Sequence, residues 1–190
     1  VTNQKLLSKI ADTGKAVVMS TGMANLDEIK EAYNILKSGT DKIAILHCVS
    51  AYPTKEEDAN LAAICTLKSE VECIVGQSDP TNDITVPIYA VIAGAQIIEK
   101  HYTLDRGMSG PDHNFAIEPA ELKDMVSKIR DIEQAFGDGL KNGAREEEKE
   151  NLLLRRSLMV NVDIRQGEVI NSDNIVIKRP GYGIMPKFFD

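Results

Sequence analysis

The chain has 190 residues, 43% hydrophobic and 27% charged, a globular composition with apolar material for one sizeable core and part of another. Its 22 basic and 29 acidic residues leave a formal charge of −7, which argues against a nucleic-acid footprint. Cys48, Cys65 and Cys73 are odd in number and lack a CxxC spacing, so they read as reduced thiols of a cytoplasmic protein. No apolar run approaches the roughly 18 residues of a membrane span.

The chain opens Val-Thr-Asn-Gln, without Met and without a signal-peptide pattern, which reads as a processed product or a fragment. Leu6, Leu7, Ile10 and Ala11 read as the end of a helix. Four units of one grammar follow, each a short β-rich run, a polar tip and a helical pattern. The first strand is expected at 16–19, with Ser20-Thr21-Gly22-Met23 as its tip. Leu26, Ile29, Ala32, Tyr33 and Leu36 then form a helical stripe, with Asn25 as N-cap and Glu28 three residues on, the pattern of a capping box. The second strand is expected at 43–46, with the tip His47-Cys48-Val49-Ser50, the loop Tyr52-Pro53-Thr54 and a helix over 57–68. The third is expected at 73–75, where Gly76-Gln77-Ser78-Asp79-Pro80 makes the tip and a helix covers 86–93. The fourth is expected at 96–98, with Glu99-Lys100-His101 beyond it and a long polar loop over 103–118. Pro119 suits a helix start, and Leu122, Met125, Val126, Ile129, Ile132 and Phe136 form that helix's core face.

Strands alternating with helices imply a parallel sheet with right-handed crossovers. The spacing suits a doubly wound sheet or a TIM barrel; in a barrel, all polar tips would face one pocket. Four strands would be half of such a barrel, with two unpaired edges. From Gly137 the composition shifts to glycines and the charged run 145–150, read as a solvated linker or helix face. The stretches 155–160 and 163–170, with a turn at Gln166-Gly167, and the strand-like 175–178 read as the start of a small β-rich module. The expected division is therefore 1–136 for the α/β part, 137–153 for the linker and 154–190 for the module.

Several tip residues have chemistry. Ser20 and Ser78 could help hold a phosphate at a strand end, or be ordinary turn residues. Glu99 and His101 are two apart on one strand and point the same way, which suits a metal, a proton shuttle or a simple hydrogen-bonded pair. His47 reads as a core histidine. Asp112, in Gly110-Pro111-Asp112-His113, lies in a loop long enough to be functional. Arg179 could anchor a carbonyl or carboxylate with its planar fork. GxGxxG, Walker A and GxSxG sequences are all absent.

Seven strings, taken together and in order, carry a resemblance: Met19-Ser20-Thr21-Gly22-Met23, 46–54 (Leu-His-Cys-Val-Ser-Ala-Tyr-Pro-Thr), Gly76-Gln77-Ser78-Asp79, 98–105 (Ile-Glu-Lys-His-Tyr-Thr-Leu-Asp), Gly110-Pro111-Asp112-His113, Arg155-Arg156-Ser157-Leu158 and 176–181 (Val-Ile-Lys-Arg-Pro-Gly). The chain resembles the sialic acid synthase family, the N-acetylneuraminate, legionaminic and pseudaminic acid synthases. The resemblance implies the second half of a TIM (β/α)8 barrel followed by the beginning of an antifreeze-like (SAF) domain. It implies a condensation of phosphoenolpyruvate with an N-acetylated amino-sugar aldehyde, giving a nine-carbon 2-keto acid and phosphate. Ser20 and Ser78 match serines that contact phosphoenolpyruvate, and Glu99 matches a pocket carboxylate near the reacting atoms. Ser50, Tyr52 and Asp112 match sugar-site positions. Arg179 matches an arginine that reaches into the partner subunit's pocket, which implies a domain-swapped homodimer. The family uses a divalent metal, Mn2+ or Mg2+, and His101 matches one of its two histidine ligands. The other ligand position is Pro80 here, and a proline side chain offers a metal no donor. Two readings stand beside the synthase: a non-catalytic member that binds sugar or serves in assembly, and another phosphoenolpyruvate-using barrel, which the antifreeze-like tail starting near Arg155 argues against.

Overall fold

The structure, a computed structural model, describes residues 1–141 and 145–189. The chain divides into two compact units, Val1–Gly137 and the residues from Asp138 onward.

In the first unit the elements alternate as the sequence implies: α1 (Gln4–Ala11), β1 (Val17–Ser20), α2 (Leu26–Lys37), β2 (Ile43–Cys48), α3 (Ala62–Glu70), β3 (Ile74–Asp79), α4 (Thr85–Ile92), β4 (Ile98–Lys100) and α5 (Pro119–Phe136). The capping box at α2 forms in full: the Asn25 side chain accepts from the Glu28 backbone N–H, and Glu28 returns the favour at Asn25. At α3 the expected start is too early. A 3-10 turn, Glu56–Asp58, comes first, and Asn60 has φ 44°, a left-handed turn that no α-helix continues through.

The four strands lie in the order β1-β2-β3-β4, every neighbouring pair parallel. A doubly wound sheet reverses its strand order at a switch point; a barrel does not. The sequential order fits the half-barrel that the resemblance implies. The sheet is half of a barrel wall, with helices against one face. That face carries Met19, Ile43, Ile45 and Val75, which join Ile29, Leu36, Ile64 and Leu67 from the helices in one core. Ile45, Leu36 and Ile64 are fully shielded from solvent, and each such side chain contributes about 1.5–3 kcal/mol through burial. The opposite face, which a closed barrel turns inward, carries Val18 and Ile74, 59% and 46% exposed, together with Ser20, Ser78 and Glu99. The α5 stripe is less covered than its period suggests: Met125 is buried, but Val126 and Phe136 are exposed.

The second unit contains α6 (Arg145–Leu154) and an antiparallel pair, β5 (Ser157–Val160) and β6 (Ile175–Lys178). The segment 163–170 is a turn rather than strand, with Gly167 at φ 92°. Ser157, fully buried, donates Oγ–H to the Pro180 carbonyl at 2.6 Å. Of the linker expected over 137–153, residues 142–144 lie outside the described residues. Among the described residues no helix is long and apolar enough to cross a membrane.

Candidate functional site

The site forms at the C-terminal ends of the strands because β3 runs further than its apolar run does. The sequence reading stops it at Val75; the ladder continues through Gly76, Gln77, Ser78 and Asp79. Gly76 makes this possible. A Cβ there would press into the Ile97 carbonyl oxygen and stand 2.7 Å from Leu46 Cδ2, so only glycine lets β3 and β4 meet at this level. Ser78 then pairs in register with Glu99, and Asp79 with Lys100.

Alternation sends these two pairs to opposite faces. On the open face Ser78 donates Oγ–H to Glu99 Oε1 at 2.5 Å, a short bond to a carboxylate. His101 follows on the same face, and Ser78, Glu99 and His101 border one concavity. The His101 ring meets Tyr52 edge-on at 5.7 Å and Phe115 at 4.9 Å. Its Nδ1 lies 3.9 Å from Asp112 Oδ2, an ion pair whenever the imidazole is protonated.

On the helix-side face the second pair is buried. Lys100 Nζ donates to Asp79 Oδ2 at 2.6 Å, with side chains 4% and 1% exposed. Lys100 also donates to the Thr81 carbonyl, and Thr81 Oγ1–H to Asp79 Oδ2 at 2.7 Å. Gln77 reaches Asp79 Oδ1 with its Nε2 at 3.4 Å. Gln77 Oε1 is buried with no hydrogen-bond partner among the described residues. The neighbouring His47 is buried and its Nε2 stands 2.8 Å from the Ala59 carbonyl, which makes it the core histidine the sequence suggested.

Two loops complete the rim. The β2–α3 loop crosses the end of β3, where the Thr54 N–H donates to the Pro80 carbonyl at 3.1 Å. This crossing carries Tyr52 over to His101. Ser50 remains behind at the β1 tip, its Cβ 3.3 Å from where a Cβ on Gly22 would sit. The loop after β4 folds back along that strand, with the Ile117 N–H on the His101 carbonyl at 2.9 Å. Arg106 anchors it: the guanidinium grips both Glu121 oxygens at 2.8 and 2.7 Å and donates Nε–H to the Ala116 carbonyl at 2.9 Å. The Glu118 backbone N–H, and then Arg106, hold the Glu121 carboxyl below the usual carboxylate range.

Of the residues singled out in the sequence, Ser78, Glu99, His101, Tyr52 and Asp112 converge. Ser20 lies on the same face of β1, two strand spacings or about 10 Å across from β3. Arg179 belongs to the second unit, where its Nε–H donates to the Leu154 carbonyl at 2.7 Å. The sequence reading passed over Lys100, Thr81 and Phe115. Lys100 had a signal, since a lysine between two residues that share one face must point to the other.

Residues 1–141 match the model of the NeuB family. The chain is 45% identical to the N,N'-diacetyllegionaminic acid synthase of Campylobacter jejuni over 97% of its own length and 56% of that protein. It is 34% identical to the human N-acetylneuraminate-9-phosphate synthase over 93% of this chain and 49% of that one. In structure it is similar to the N-acetylneuraminic acid (sialic acid) synthetase of Leptospira borgpetersenii, solved with citrate. The TM-score is 0.74 at 43% identity, covering 78% of this chain and 52% of that one. The chain thus spans about half the length of the curated relatives it matches.

Proposed function

The chain belongs to the NeuB family, and on that premise we propose that it supplies one wall of the active site of a phosphoenolpyruvate-dependent nonulosonic acid synthase. The observation that carries the reading is the Ser78–Glu99 contact, open to the barrel interior and flanked by His101 and Tyr52. In this reading Ser20 and Ser78 bind phosphoenolpyruvate through its phosphate and carboxylate. Tyr52, Ser50 and Asp112 hold the amino sugar, and Arg179 serves the sugar's acyl group in a partner subunit's pocket.

The enol methylene attacks the aldehyde carbon, forming the new C–C bond, and the aldehyde oxygen takes up a proton. Positive charge develops at the enol carbon that bears the phosphate. Glu99 stands against that carbon as fixed negative charge, which is electrostatic stabilisation by a preorganised group, while the single Ser78 O–H turns from Glu99 to the substrate anion on binding. Water adds there, and the C–O bond to phosphate breaks, giving the 2-keto acid and phosphate. Positioning the two substrates removes much of the remaining entropic barrier of the bimolecular step.

The donors present do not suit the divalent metal of the family. His101 is a lone imidazole, Pro80 has no donor atom, and among the described residues no group of three or more His, Cys, Asp or Glu converges as a metal site. One histidine with the nearby carboxylates of Glu99 and Asp112 is too few donors for a tight divalent site. No step above is routed through a metal.

The test measures phosphate release from phosphoenolpyruvate with N-acetylmannosamine and with diacetamido sugars, the matching barrel half supplied in cis or in trans. Glu99→Gln should lower kcat at least about tenfold while the protein stays folded. Equal turnover in that variant refutes the role of Glu99. A second reading, a sugar-binding assembly subunit, is favoured by Pro80. It would show sugar binding by calorimetry and no phosphate release with any sugar.

A further inference from the structure

The buried face behind the site has its own device. Asp79 and Lys100 are direct register partners on β3 and β4. Each adjoins residues of the site: Asp79 follows Ser78, and Lys100 lies between Glu99 and His101. Their contact is closed, 2.6 Å long and almost wholly out of water. Thr81 supports both members, giving a hydroxyl to Asp79 and its carbonyl to Lys100.

Such a pair contributes little net stability, because desolvating two charges offsets most of their attraction. Its leverage is on register. A slip of one residue in β4 would send every side chain to the other face. Glu99 or His101 would then replace Lys100 beside the buried Asp79 carboxylate. Glu99 would set one carboxylate against another, and either slip would take Glu99 and His101 out of the pocket. Apolar content does not resist this slip, since β4 reads Ile-Glu-Lys and has a single apolar residue.

We propose that Lys100 and Asp79 are positioning residues: a buried charge clamp that fixes the β3–β4 register and so presents Glu99 and His101 to the substrate. This rests on the synthase reading for its catalytic consequence, but not for its structural one.

The test compares Lys100→Met with the double variant Lys100→Met/Asp79→Leu. The single variant strands a buried carboxylate and should lower Tm by about 6–20 °C. The double variant removes both charges and should keep Tm within about 4 °C. Yet backbone amides of residues 98–101 should exchange about tenfold faster in it, while those of β1 and β2 keep their protection. In the phosphate-release assay its kcat should fall about tenfold or more, with KM for phosphoenolpyruvate within about twofold. A double variant with unchanged exchange at 98–101, or with exchange raised evenly across the sheet, overturns the clamp. So does unchanged kcat. If the unsubstituted protein releases no phosphate, the synthase reading fails and the exchange measurement still decides the clamp.

Discussion

Gly76→Ala is a sharp probe of how the two strands that carry the site are held. Gly76 has an ordinary backbone conformation, so its requirement is space alone. A methyl group there would press into the Ile97 carbonyl oxygen and stand 2.7 Å from Leu46 Cδ2 and 2.8 Å from Ile97 Cβ. Reaching ordinary contact, near 3.4 Å, means parting these atoms by about 0.6–1.0 Å. Leu46 is 1% exposed and has nowhere to go, so β4 must move. Overpacking of this kind costs about 1–3 kcal/mol. The Gln77 N–H to Ile97 carbonyl bond, 2.8 Å long, is strained with it, at about 0.5–1.5 kcal/mol. Removing a glycine from a strand returns about 0.5–1 kcal/mol of backbone entropy. The net loss is about 0.5–4 kcal/mol, which lowers Tm by about 1–16 °C for a chain of this size. Thermal unfolding followed by circular dichroism reads this directly. A Gly76→Ala protein as stable as the original, or more so, would refute the close approach of β3 and β4.

Arg106→Ala should release the loop over 103–118, seen as faster amide exchange there and little change in β1–β3. The same anchor should depend on acid. Glu121 has its pKa lowered in the folded protein, so its contribution is complete above the ordinary carboxylate pKa and is lost as pH falls through the lowered value. Exchange protection of the loop should therefore decline in acid, and Glu121→Gln should remove that decline. His47→Leu leaves the buried Ala59 carbonyl without its 2.8 Å partner and should cost about 1–3 kcal/mol in urea unfolding; no change would argue against that bond. Burial pushes the Cys73 thiol up, whereas Cys65 is exposed. Iodoacetamide at neutral pH should modify Cys65 first, and faster labelling of Cys73 would contradict its placement.

Much of the first unit was legible without coordinates. The α2 stripe and its Asn25–Glu28 capping box are local, set by side chains three and four residues apart, and they form as written. The alternation of Glu99 and His101 is equally local, so their shared face could be read directly. Strand ends were not legible. Gln77, Ser78 and Asp79 look like loop residues, yet they are ladder residues because Leu46, His47, Cys48 and β4 lie alongside to accept them. The exposure of Val126 and Phe136 was likewise invisible, since a periodic stripe says which face is apolar and not what covers it.

The sequence by itself determined the order of elements, the polar tips at strand ends and the family. Those are properties of neighbouring residues and of strings. Only the tertiary structure showed the strand order and the register within it, because these are matters of long-range pairing. Only it showed that Tyr52 crosses β3 to His101 while Ser50 stays at the β1 tip. It also placed Lys100 against Asp79, 21 residues away in the chain. Two opposite charges at that separation attract each other usefully only when the fold has brought them together and excluded water.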